Sequence, residues 1–293
     1  MKNILHFLIM LGLFVGILYE HSVFAKDKYI YKEVASINWG SNNGQLGFTK
    51  NNPQGLPVMP SSFTVDSNGN IYISDVVNKR VVIIDKEGKF VKNIKEPSME
   101  RASLSYIGVD GGNNIYVFDR RNKVIKIFDQ DGKTKDSITG IDKNISKMNV
   151  SYNGSIQILE KSGHKKLSNN GTTYKKADID ETYYTPSGKV YTMQKDRKTL
   201  KPEEKDKKAF LLQPGDEVID FDRDDMCYIS NYSGNKVKKI DPNGNTIIDL
   251  DFTGFDIMGD SSSRQVRTDL QGNVYKMYYT KYGVKIVKME KVK

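Results

Sequence analysis

The chain has 293 residues, with 45 Lys and Arg against 36 Asp and Glu, a formal net charge of +9 and a single cysteine, Cys227. One cysteine excludes an internal disulfide framework, so a hydrophobic core has to hold the fold. Past residue 25 the only imidazole is His164, which sits among lysines in Gly163-His164-Lys165-Lys166 and reads as part of a surface turn. One imidazole and one thiol cannot build a histidine or thiolate metal centre.

Lys2 precedes an almost entirely apolar run over residues 4–19, and Val23-Phe24-Ala25 then places small or apolar residues at a cleavage position. This is the pattern of a secretory signal peptide, residues 1–25. The alternative is an uncleaved anchor, because the run is only slightly shorter than the roughly 18 residues a spanning helix needs. Either reading places residues 26–293 outside the cytoplasm, secreted or associated with the cell envelope. A membrane is a partner only if the segment stays uncleaved.

Residues 29–39 form a strand-like segment belonging to no repeat. After it a unit recurs about every forty residues, the mark of a repeat architecture. DSNGNIYISD (Asp66 to Asp75), DGGNNIYVFD (Asp110 to Asp119) and DRDDMCYISN (Asp222 to Asn231) share one register. Each is followed at a constant offset by a D-x-x-G turn, at Asp85 and Gly88, Asp129 and Gly132, and Asp241 and Gly244. Weaker copies begin at Ser151, Thr185 and Asp269, and the aromatic landmark falls at Tyr72, Tyr116, Tyr191, Tyr228 and Tyr275, with Gln157 in the third unit.

Each unit reads as four antiparallel strands. A short run such as Phe63-Thr64-Val65 ends at Asp, a Gly or Asn turn follows, and a β-branched and aromatic second strand comes next. Val81 to Ile84 and Phe90-Val91 supply the third and fourth strands. Such a sheet cannot bury both faces alone, whereas six arranged radially can. The expected fold is therefore all-β, a six-bladed β-propeller with four-stranded antiparallel blades near residues 56–98, 100–141, 145–179, 181–215, 217–255 and 262–293. The last unit lacks a fourth strand, so residues 29–39 are expected to close it from outside.

Pro60-Ser61-Ser62-Phe63-Thr64-Val65-Asp66, the GNIYISD run, Asn78-Lys79-Arg80-Val81 and the following D-x-x-G-K-F together resemble the NHL repeat. Gly44-Gln45-Leu46-Gly47-Phe48 is similar to that repeat's glycine-rich lead-in. The resemblance implies a six-bladed propeller and no particular function, since such propellers host enzymes and binding modules alike. Amidating lyases of this architecture hold zinc with several histidines, whereas residues 26–293 carry His164 alone. Calcium-dependent lactonases place Glu, Asn and Asp in the central channel. Strictosidine-synthase-like propellers place a Glu in an inner strand, where Glu181 and Glu217 lie nearby.

Alternation along the first strands assigns Thr64, Gly108, Asn149, Tyr183, Asp220 and Arg267 to the channel. Asn149, Tyr183, Asp220 and Arg267 are the ligand candidates, with a structural pairing of Asp220 and Arg267 as the bland alternative. One carboxylate is too few for a hard divalent cation, so neither a metal nor a cofactor is expected. Cys227 occupies an apolar repeat position and reads as core. Asp75 and Arg80 read as a pair internal to their repeat.

The remaining signal is basic. Lys198, Lys201, Lys205, Lys207 and Lys208 fall in a charged stretch over 195–208 that reads as a protruding loop, and Lys236, Lys238 and Lys239 form a second cluster. Outside a cell this charge suits an anionic envelope polymer better than nucleic acid. The leading expectation is a non-enzymatic binding or scaffold module for a protein or such a polymer. The alternative is a lactonase-like hydrolase with its site in the channel.

Overall fold

The computed structural model describes residues 29–50, 57–95, 104–160, 163–167, 174–175, 181–205, 207–254 and 263–291. Residues 1–25, expected to be a signal peptide, lie outside the described residues. Among them no helix is long and apolar enough to cross a membrane.

Among the described residues, apart from one 3-10 turn at Ser263–Gln265, the regular structure is antiparallel strand. Strand pairing sorts it into six four-stranded sheets. The first holds β2 (Phe63–Val65), β3 (Ile71–Asp75), β4 (Arg80–Ile84) and β5 (Phe90–Ile94) in that order, and the second holds β6 (Leu104–Val109), β7 (Ile115–Asp119), β8 (Val124–Phe128) and β9 (Thr134–Ile138). The third runs β10 (Lys147–Val150), β11 (Ile156–Glu160), β12 (Gly163–Leu167) and β13 (Tyr174–Lys175). The fourth runs β14 (Thr182–Tyr184), β15 (Val190–Met193), β16 (Thr199–Pro202) and β17 (Phe210–Leu211). The fifth runs β18 (Asp216–Phe221), β19 (Cys227–Asn231), β20 (Lys236–Ile240) and β21 (Thr246–Asp251). In the last, β22 (Val266–Thr268), β23 (Val274–Tyr279) and β24 (Gly283–Lys291) are completed by β1 (Tyr29–Asn38), which pairs with β24 from Tyr29 opposite Lys291 to Asn38 opposite Gly283.

The Asp-to-Tyr spacing of the repeat has a direct cause. Asp66 Oδ1 accepts the backbone N–H groups of Asn68 and Asn70 at 2.8 and 2.9 Å, while Oδ2 accepts the Asn70 amide at 2.9 Å and the Tyr72 hydroxyl at 2.8 Å. One carboxylate thereby folds the turn and anchors the next strand. Asp110 and Asp269 repeat all four bonds, the latter with Tyr275 at 3.0 Å. At Asp222 the amide is missing and the Lys239 ammonium takes its place at 3.1 Å. Gly69 supplies the positive φ of 86° that closes the first turn.

Packing follows from alternation within each sheet. Ile71 and Ile73 face Met277 and Ile286 of the last sheet, whereas Tyr72 faces Ile107 and Val117 of the second. The middle strands of the first sheet are therefore packed on both faces, and β3 and β4 are buried throughout. The same interlocking joins the second sheet to the third, the fourth to the fifth and the fifth to the last. Blades that bury one another face to face are the propeller architecture. Cys227 is fully buried in the layer between the fourth and fifth sheets, where loss of solvent holds its thiol well above the usual range.

Two sequence expectations are corrected. The 195–208 stretch is not one loop, because residues 199–202 form β16. Leu200 is fully buried and Pro202 is buried, while Lys201 between them is exposed. His164 likewise lies in a strand, β12, opposite Leu159, and not in a turn.

Candidate functional site in the channel

The first strands of all six sheets wall one central channel. Its wide part encloses about 760 Å³, and Thr64, Gly108, Asn149, Tyr183, Asp220 and Arg267 all line it, one from each sheet. Leu159 near the end of β11, and Arg197 and Tyr232 from the second-to-third-strand connections, mark the end at which it opens. Toward the opposite end the walls close to a pocket of about 40 Å³ beside Asp66, Asp110, Tyr152 and Tyr184. Gly108 is required by this packing, since a Cβ there would stand 2.6 Å from a Val150 methyl of the neighbouring inner strand.

Asp220 borders both compartments. Its surface opens to the lumen, yet protein surrounds it, so it meets confined and not bulk solvent. That loss of solvent pushes its carboxyl up to about 6, with Asp222 adding to the rise. The Phe221 N–H at 2.9 Å and the Arg267 charge oppose it. Arg267 is brought down to about 10 by the same confinement and by neighbouring Arg264, against the pull of Asp220 and Glu217. Among the described residues no ion pair within 4.0 Å joins Asp220 to Arg267, so the two act on one another across space.

Tyr183 contributes little open surface, being 3% exposed. Its hydroxyl donates to Glu181 Oε1 at 2.5 Å, and the Lys147 ammonium stands 2.6 Å from the same oxygen and 3.1 Å from the phenol. Burial, then the Glu181 charge, holds the phenol protonated well above its usual range. Asn149 is half-buried, and its side-chain amide has no hydrogen-bond partner among the described residues.

A second layer of lining residues lies nearer the opening; the sequence pointed to Glu181 and Glu217 only as lying near inner strands, and to none of the others. Tyr106 and Lys147 each stand two residues before the ring positions Gly108 and Asn149, and Glu181 stands two before Tyr183, so period-two alternation carried one pleat upstream finds them. Glu217 stands three before Asp220 because a bulge between Val218 and Asp220 shifts the register. Arg264 comes from the 3-10 turn; its guanidinium lies 4.4 Å above the Tyr106 ring and its NH2 group 3.5 Å from the Ser146 carbonyl. Tyr232 is 71% exposed at the rim.

The lysines do not form one patch. Lys198 lies beside Arg197 at the open end, Lys201 on β16, and exposed Lys205, Lys207 and Lys208 follow in the β16–β17 connection, which returns to the closed end. Lys236 is exposed, Lys238 stands 3.7 Å from Asp216, and Lys239 binds Asp222 and covers the Tyr228 ring at 5.3 Å. Among the described residues no three His, Cys, Asp or Glu side chains converge as a metal site.

No family model matches the chain, and no curated protein matches it. Solved structures do share its fold. A gluconolactonase from Xanthomonas campestris superposes with a TM-score of 0.55 at 14% identity, over 93% of each chain. A streptogramin B lyase gives 0.53 at 12% identity, over 90% of this chain and 98% of that one. A catalytically inactive His-to-Ala variant of virginiamycin B lyase from Staphylococcus aureus, with quinupristin, gives 0.53 at 13% identity, over 90% of this chain and all of that one. At such identities the likeness establishes the β-propeller, and activity has to be argued from the channel.

Proposed function

We propose that the chain is an extracytoplasmic, six-bladed, NHL-like propeller that works as a binding module and receives its ligand at the open end of the channel. The observation that carries this reading is the composition of the cavity wall. It offers charges of both signs and open amide and phenol groups. Among the described residues lining it there is no histidine or cysteine, and the Tyr183 phenol is held protonated by Glu181. A cavity of about 760 Å³ falls in the range that encloses a small molecule or the end of a polymer.

The test is sedimentation of the purified protein with an anionic cell-wall fraction at rising salt. Binding that weakens with salt supports the module. No association at any ionic strength overturns it.

A second reading is hydrolytic, favoured by the titration of Asp220. A confined carboxylate near 6 is suited to act as a general base at neutral pH, and the structural neighbours include a gluconolactonase. Turnover of simple lactones that vanishes in a folded Asp220→Asn variant would establish this reading in place of the first.

A further inference from the structure

We propose that the outer surface of the open end docks a flexible polyanion without nucleobases, such as a polyol phosphate, across a cationic group formed by Arg121, Lys123 and Lys143. This rests on the binding reading above and supplies its ligand class and the surface that carries it.

Antiparallel order sends the second-to-third-strand and fourth-to-first-strand connections to the open end, and the remaining connections to the closed end. Charge divides between the two. Among the described residues the open-end connections carry twelve Lys or Arg and three Asp or Glu, whereas the closed-end connections carry eight and thirteen. The molecule is thus polar along the channel axis, and its field draws an anionic partner to the open end.

The largest basic group sits where two open-end connections are tied together. Arg120 Nε donates to the Lys143 carbonyl and its second terminal nitrogen to Asn144 Oδ1, both at 3.0 Å. The Ile141 N–H donates to the Lys123 carbonyl at 3.3 Å. The β7–β8 turn and the β9–β10 connection are thereby held side by side, with Arg121, Lys123 and Lys143 all exposed. None of these three side chains forms a salt bridge among the described residues. Of the two acids beside them, Asp119 is fully buried in its own turn and Asp142 accepts the Asn144 N–H at 2.8 Å. The group, Arg120 included, keeps a positive excess.

The surroundings select the partner. Neither connection contains an aromatic residue, and the exposed Tyr232 and Tyr282 belong to the fifth and last sheets. Single-stranded nucleic acid therefore finds no platform for its bases beside these cations. The exposed aliphatic side chains Ile30, Val91, Leu211 and Ile247 lie on the outer strands of their sheets, so this end offers them to no bilayer. A flexible chain with a charge on each unit needs only spaced cations, and it gains by releasing its counterions.

The experiment is titration of the full chain with a glycerol phosphate polymer at rising salt, beside single-stranded DNA and anionic lipid vesicles. Two variants of equal net charge are compared. One carries Arg121→Gln, Lys123→Gln and Lys143→Gln at the open end, the other Lys205→Gln, Lys207→Gln and Lys208→Gln at the closed end. All six side chains are exposed, so both variants keep the fold. The open-end variant should bind the polymer about tenfold more weakly or worse, with the slope of log affinity against log salt reduced by about two. The closed-end variant should lose less than about threefold. Equal losses would mean that net charge alone acts, and would overturn the proposal, as would tighter binding of DNA or of vesicles than of the polymer. No polymer binding, with the cell-wall fraction still bound, sinks the polyanion alone, whereas absence of both sinks the binding module with it.

Discussion

Arg80 and Asp75 face one another across β3 and β4 at 2.9 Å, with neither side chain exposed at all. The guanidinium does more than neutralise its partner. It donates to the Ser41, Asn42 and Gln45 carbonyls at 3.1, 2.9 and 2.7 Å, so the segment following β1 is tied into the first sheet by a fully desolvated charge. Arg80→Met should lower stability by about 3 to 5 kcal/mol, read from urea unfolding midpoints, because it removes the charged partner of a buried carboxylate and the donor to three carbonyls. Asp119 is the matching residue of the second sheet and faces Val124. Its carboxylate is held by its own turn, so Asp119→Asn should cost less than Arg80→Met in the same measurement.

The Asp–Tyr bonds allow a graded comparison. Removing one hydroxyl by Tyr→Phe leaves a buried carboxylate oxygen short of a donor, at about 1 to 3 kcal/mol. Tyr228→Phe should be the costliest of the four, since Tyr228 is fully buried, also donates to the Gly272 carbonyl at 3.1 Å, and shares Asp222 with Lys239. Thermal unfolding of the Tyr72, Tyr116, Tyr228 and Tyr275 variants would rank them. A smaller effect at Tyr228 than at Tyr116 would contradict this account.

The register of β16 is open to a paired test. Leu200→Ala should cost about 2 to 5 kcal/mol as a core deletion. Lys201→Ala next to it should fall within about 0.5 kcal/mol of wild type. Equal effects would mean that the stretch is a loop after all.

Asp220 gives a pH dependence with a definite sign. Its carboxyl lies at about 6 in the folded chain against a usual 3.8. The folded state therefore holds this proton more tightly than the unfolded state. Its contribution to stability is fully present below the unfolded value and is lost as pH rises through about 6. Asp220→Asn cannot lose it. Urea midpoints measured from about pH 4 to pH 7 should thus fall for wild type relative to the variant, with the two curves parallel outside that window. Access to the lumen keeps the effect smaller than a dry site would give.

The repeat was legible because one carboxylate serves two sites four and six residues ahead, which forces Asp, Asn and Tyr into a constant spacing. The channel ring was legible for a similar reason, since strand alternation projects one residue per sheet to the axis. Two features broke those rules. The bulge before Asp220 moved Glu217 out of phase, and the 3-10 turn carrying Arg264 has no strand period. The burial of β16 was hidden differently: its apolar pair, Leu200 and Pro202, is only two residues among lysines, too few to show a pattern. The lysine cluster failed as a patch because a strand carried its two ends to opposite faces.

The pairing of β1 with β24 sets an order of events. Tyr29 leaves a ribosome long before its partner Lys291, so this sheet cannot be completed until Lys291 has emerged. Until then β1 has no neighbour on its hydrogen-bonding edge, and the layer between the first and last sheets lacks one wall. Closure therefore waits for the last strand, and the unfinished ring is the state that a chaperone would meet.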